Sequence, residues 1–227
     1  MKFTYIIDQN YQSISSFLLE KKYSQKLIKA IKNQGGKILV NNNEKKMNDN
    51  LKCGDYLLVE HPKEVLTDSF PMSNKELNII YEDDYLLIIS KPSHIESIPS
   101  FSNNDDTIAN RIKYYFYLSN IVSNVHIITR LDKETSGLVL VAKSRYVHHL
   151  FGNHVNITKK YLALVTGILE KDIMIEKNID RIKKDEIKRT VSDRGKYAKT
   201  FVRVIKHFGD STLVECELFT GRTHQIR

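Results

Sequence analysis

Residues 129–144 read TRLDKETSGLVLVAKS, and the fold of the surrounding chain turns on how this stretch is read. Its centre is Arg130-Leu131-Asp132, two opposite charges separated by one aliphatic side chain. A small-residue turn follows at Thr135-Ser136-Gly137, then an apolar run from Leu138 to Ala142. A short apolar run bounded by turn residues reads as a buried strand. Gly137 lets the chain bend through a positive φ just before that strand. Turn and strand together hold Asp132 in a defined place, as chemistry by a carboxylate requires. An isolated Arg-x-Asp is more often a surface ion pair, so the weight rests on the whole string.

Working outward, residues 78–82 and 85–90 read as strands around the turn Asp83-Asp84, and Lys91-Pro92 ends the second. Asp106 or Thr107 caps a helix whose apolar face is Ile108, Ile112, Tyr115 and Phe116. Those aromatics read as core rather than as a base-stacking platform. Ser144 starts a further helix with Val147, Leu150 and Phe151 on one side. His148, His149 and His154 lie along it without the carboxylate or cysteine spacing of a metal site. Residues 201–205 and 212–219 read as strands joined at Gly209-Asp210. Strands interrupted by helices make residues 77–227 an α+β domain on a mixed, largely antiparallel sheet.

The first 62 residues read as a small α+β module. A strand at 3–7 precedes two helices carrying Ile14, Phe17 and Leu18, then Leu27, Ile28 and Ile31. Ser24 caps the second helix, Gly35-Gly36 ends it, and strands follow at 37–40 and 56–60. Residues 21–37 hold six lysines and no acid. Lys26, Lys29 and Lys32 recur every third residue and share one helix face, where uncompensated charge suits contact with phosphates. Residues 61–76 carry two prolines and little periodicity, so 63–76 reads as a linker.

Composition narrows the function. No apolar run reaches about 18 residues, so no membrane span is expected, and the N-terminus turns polar too soon for a signal peptide. Cys53 and Cys216 are the only cysteines among 227 residues, which argues against a disulfide framework or zinc site and suits a reducing cytoplasm. A net charge of +8 favours a polyanionic partner. Residues 177–199 alone hold nine Lys or Arg against four acids, and read as an exposed basic loop or hairpin suited to contact with phosphates.

Residues 129–138 resemble the H-R-L-D-x-x-T-S-G-L signature of the RluA-type pseudouridine synthases, with Thr129 in place of His. Two further strings follow in that family's order. Residues 160–167, KYLALVTG, resemble its K-x-Y-x-A-x-V-x-G strand, and residues 220–227, TGRTHQIR, resemble its third motif. The order of helices, GGKILVN and LKCGDYLLV near the N-terminus also resembles the α-L RNA-binding module that often precedes such catalytic domains.

The resemblance implies an enzyme that isomerises uridine to pseudouridine in structured RNA, in large-subunit ribosomal RNA ahead of tRNA. Uracil is detached, rotated and rejoined through carbon 5, so no cofactor or metal is implied. Asp132 is the expected reacting carboxylate, Arg227 its ion-pair partner, and Tyr161 the ring against the target uracil. Such a base must be flipped out of its helix. Arg130 is then the candidate to fill the vacated place or hold the backbone, while Arg222 and His224 contact the pocket or the RNA. The chain ends inside the third motif, so the catalytic domain is expected to be incomplete at its C-terminus. The competing reading is a non-catalytic RNA-binding protein or an inactive fragment of such an enzyme. With RNA covering the basic surface, a monomer is expected.

Overall fold

The structure, a computed structural model, describes residues 1–100, 103–182 and 188–227. It divides into two compact units, Met1–Val155 and Asn156–Arg227.

The first unit begins with β1 (Lys2–Ile6), α1 (Ile14–Glu20), α2 (Gln25–Asn33), β2 (Lys37–Val40), β3 (Asn43–Glu44) and β4 (Tyr56–Glu60). The strands form an antiparallel sheet in the order β1-β4-β2-β3. Each helix starts where a serine satisfies backbone donors that have no partner inside the helix. Ser13 makes a reciprocal capping box with Ser16, and Ser24 Oγ accepts from Leu27 N at 3.2 Å. Phe17, Leu18, Ile28 and Ile31 bury against Ile38, Val40, Leu57 and Val59. Lys26, Lys29 and Lys32 stay exposed on α2.

The unit continues with β5 (Ile79–Glu82), β6 (Leu86–Lys91), α3 (Ile108–Leu118), β7 (His126–Ile127), β8 (Gly137–Ala142) and α4 (Arg145–Asn153). These strands form a second antiparallel sheet, β5-β6-β8-β7. Leu87 and Ile89 pair with Val141 and Val139, and Ile108, Ile112 and Phe116 of α3 pack in the same cluster. The 138–142 run buries only part of itself. Val139 and Val141 are inaccessible while Leu138 is 60% exposed, the one-sided burial of an antiparallel sheet.

The N-terminal layer is not isolated from this second sheet. The Tyr146 ring on α4 packs at 4.2 Å from Tyr23, 5.0 Å from Phe3 and 5.2 Å from His61, and its hydroxyl donates to Lys21 O at 3.0 Å. Residues 63–76 carry no helix or strand, yet hydrogen bonds hold them down. Asn110 Nδ2 donates to Pro71 O at 2.9 Å, and Ser73 Oγ to Asp106 at 2.9 Å. Glu64 takes four donors. Its carboxylate accepts from His126 Nε2 (2.8 Å), Arg145 N (2.7 Å) and both nitrogens of Asn124 (3.2 Å each).

The second unit is one antiparallel sheet in the order β11-β10-β12-β13-β9. Its strands are β9 (Lys159–Thr166), β10 (Ile173–Arg181), β11 (Arg189–Val191), β12 (Lys196–Phe208) and β13 (Ser211–Leu218). The strand expected at 201–205 is the middle of the 13-residue β12. Lys196 and Lys199 mask its beginning from a hydrophobic pattern. The basic stretch at 177–199 spans the β10–β11 pairing and the start of β12; its Lys183 and Lys184 lie outside the described residues. The α+β class with antiparallel sheets is therefore the observed one. Every strand pairing among the described residues is antiparallel, and residues 77–227 carry two sheets rather than one.

Candidate active site

Asp132 sits in an irregular loop between β7 and β8, and that loop is braced from three sides. Ser97 Oγ both accepts from Leu131 N (3.1 Å) and donates to Leu131 O (2.7 Å), gripping the residue before Asp132 at both backbone groups. The Leu131 side chain packs against the β6–β8 core. Asp132 O accepts from Thr135 N at 3.1 Å, closing the turn, and Gly137 takes φ +132°, a region that side-chain-bearing residues rarely enter. The Thr129 hydroxyl accepts from Leu140 N at 2.9 Å, so the residue that departs from the family signature ties this loop to β8.

Beneath the loop lies Lys91, completely buried at the end of β6. Its ammonium donates to Pro92 O (2.9 Å), Ile95 O (2.7 Å) and Lys133 O (3.2 Å). Burial lowers its pKa, while the Glu134 and Asp132 carboxylates oppose that shift. Lys91 thus places a fixed positive charge in the electrostatic surroundings of Asp132 and laces two loops together. Glu134 is engaged elsewhere, with His94 Nδ1 at 2.5 Å. Arg130 is exposed beside a cavity of about 420 Å³ that Ile127, His126 and His148 also line.

The second unit carries the remaining candidates. Tyr161 alternates with Leu162 along β9, so it turns toward the cluster of Val202, Val214 and Cys216 while Leu162 is 70% exposed. Ile226 packs on that same cluster, which anchors the 220–227 string. Gln225 organises the string. Its Oε1 accepts from Thr220 Oγ1 (2.9 Å) and Arg222 N (2.8 Å), and its Nε2 donates to Lys199 O (3.1 Å) and Thr200 Oγ1 (2.9 Å). Arg222 Nε donates to Tyr197 O at 2.8 Å, so this arginine holds the start of β12. His224 adopts φ +58°, and Arg227 N donates to His224 O at 3.0 Å.

The candidates therefore fall into two groups. Arg130 and Asp132 share a loop of the first unit with Lys26, Lys29 and Lys32 on α2; Tyr161, Arg222, His224 and Arg227 share the second. Ser97, Lys91 and Gln225 are positioning residues that the sequence reading passed over. Lys91-Pro92 and the Thr220–Arg227 string were visible, but only folding shows which backbone groups these side chains reach. Among the described residues no group of three or more His, Cys, Asp or Glu side chains is placed to hold a metal ion, and no helix is long and apolar enough to cross a membrane.

A family model described as RNA pseudouridylate synthase matches residues 85–227. An RNA pseudouridine synthase of Bacillus subtilis, YjbO, itself uncharacterized, is 33% identical over 219 residues, covering 95% of this chain and 77% of that protein. The ribosomal large subunit pseudouridine synthase D of Xanthomonas campestris is 32% identical over 197 residues, covering 86% of this chain and 59% of that protein. The structure of human RNA pseudouridylate synthase domain containing 1 is similar with a TM-score of 0.54 and 25% identity, over 69% of this chain and 65% of that one. The chain belongs to the RNA pseudouridylate synthase family, whose RluA-like members are RNA-binding isomerases. It spans 77% and 59% of the length of the two curated relatives named above.

Proposed function

We propose that this chain converts uridine to pseudouridine in large-subunit ribosomal RNA, with Asp132 as the reacting carboxylate. The observation that carries the reading is the brace around Asp132: Ser97 on both sides of Leu131, and the buried Lys91 ammonium beneath. A carboxylate in a dry pocket costs less to keep ionised when fixed positive charge lies nearby. Asp132 attacks the sugar, adds to the base, or serves as base for the detached fragment; each route needs it ionised and fixed. In this reading Arg227 pairs with Asp132, the Tyr161 ring lies on the target uracil, and Arg130 fills the space that the flipped base leaves. Arg222 and His224 support the pocket or touch RNA.

The ribosomal substrate rests on the names of relatives such as the Xanthomonas campestris enzyme, with tRNA the alternative. We assign residues 1–62 as an α-L-type RNA-binding module, 63–76 as its connection and 77–227 as the catalytic domain, with Lys26, Lys29 and Lys32 as phosphate contacts. The exposed lysine face of α2, with no acid between residues 21 and 37, supports that part.

The test is pseudouridine content in transcribed ribosomal RNA and tRNA after incubation with the parent and with Asp132→Asn. Product from the parent alone, with RNA affinity equal in both, is the expected result. RNA bound by both with product from neither favours the competing reading, a non-catalytic RNA-binding protein or an inactive fragment of such an enzyme.

A further inference from the structure

A second cavity, of about 280 Å³, is built wholly from the second unit. Its lining includes Lys177, Arg189, His224 and Arg227, the hydroxyl-bearing Thr200, and no acidic side chain among the described residues. One atom there stands out. Arg189 Nη1 is buried and has no hydrogen-bond partner among the described residues. Buried donors of a cation are nearly always hydrogen-bonded in folded proteins, so this atom calls for a functional explanation. The neighbours Lys177 and Arg227 are also cations and deepen the need for an anion.

We propose that this cavity is a site for a phosphodiester of the bound RNA, held by the Arg189 guanidinium and the Lys177 ammonium. A guanidinium matches two phosphate oxygens with parallel N–H donors, and the Thr200 hydroxyl can serve a further oxygen. Strand register says where that phosphate lies. Lys177 pairs with Ala198, Thr200 with Leu218, and Cys216 with Tyr161, so Lys177 and Tyr161 project from one face of the sheet. Three strand spacings separate β10 from β9, roughly 14 Å. The inference rests on the proposed function, in which Tyr161 meets the target uracil: the cavity then takes a phosphate a few nucleotides away along the strand. Arg227, assigned to Asp132 in that reading, leaves Arg189 and Lys177 as the cations that the phosphate meets.

The first arm of the test titrates inorganic phosphate into the parent chain and follows the arginine Nε–H resonances by NMR, with Arg189→Gln identifying the Arg189 signal. A saturable shift that chloride does not reproduce, and that a short single-stranded RNA displaces, is expected. A signal that moves with phosphate no more than with chloride overturns the site, and one that RNA does not displace overturns its assignment to RNA. The second arm measures RNA affinity against salt for the parent, Arg189→Gln, Lys177→Gln and the control Lys171→Gln. Each cavity variant should lower the log–log salt slope by about 1. A slope unchanged in both cavity variants, or lowered equally in the control, overturns the proposal. Binding is read without turnover, so a chain that binds through Arg189 but makes no pseudouridine sinks the catalytic reading alone.

Discussion

Glu64 offers the sharpest test of how the first unit is held together. Burial alone would raise its pKa, but the hydrogen bonds from His126 and from Arg145 and Asn124 bring the carboxyl down to about 2, against an ordinary value of 4.5. Its side chain is only 15% exposed, so solvent does little to screen these bonds. One bond comes from the first turn of α4, where the helix dipole also favours negative charge. A depressed folded-state pKa contributes stability that is fully present above the unfolded value and is lost as pH falls through the folded one. The shift corresponds to about 3 kcal/mol at pH 7, falling to about 1–2 kcal/mol at pH 3. Glu64→Gln keeps a carbonyl for some of the donors but loses the charge, so it should destabilise the chain by about 2–3 kcal/mol at pH 7. Urea titrations of parent and variant at pH 7, 4.5 and 3 read this directly, since urea adds no salt. The gap between the two should be nearly constant from pH 7 to 4.5 and then narrow. A gap under about 0.5 kcal/mol at pH 7, or one that stays the same at pH 3, would refute the reasoning.

Other expectations follow from the loop around Asp132. Lys91→Met removes an ammonium that serves three carbonyls and should cost about 3 kcal/mol, read as a lower urea midpoint, together with a drop in turnover; a variant as stable as the parent would show that Lys91 is not a brace. Ser97→Ala deletes both bonds to Leu131 and should lower kcat severalfold with RNA affinity unchanged, at a stability cost of about 1–2 kcal/mol. An equal loss in RNA affinity would make Ser97 a binding residue instead. Arg227→Ala should reduce turnover more than RNA binding, and an unchanged turnover rate would remove Arg227 from the site.

Much of this protein was legible in one dimension. Ser24, Thr107 and Ser144 stand at the N-caps of α2, α3 and α4, because a short side-chain oxygen before an apolar-periodic run is a local signal. The strands at 37–40 and 56–60 match β2 and β4 for the same reason, being short apolar runs between turn residues. The strings at 129–138, 160–167 and 220–227 were enough to point to the family. β10 was legible only as part of a basic loop or hairpin at 177–199, since Glu176, Lys177 and Asn178 break any period-two pattern, and its pairing with β12 supplies what its side chains do not advertise. The brace of Ser97 on Leu131, the reach of Lys91 to three carbonyls and the four donors on Glu64 all join residues more than 30 positions apart, except where Lys91 meets its own loop. Sequence by itself determined which side chains can do the chemistry, because residue type and spacing are local. Only the tertiary structure decided what holds them, because a hydrogen bond between distant residues exists only once the chain has brought them together.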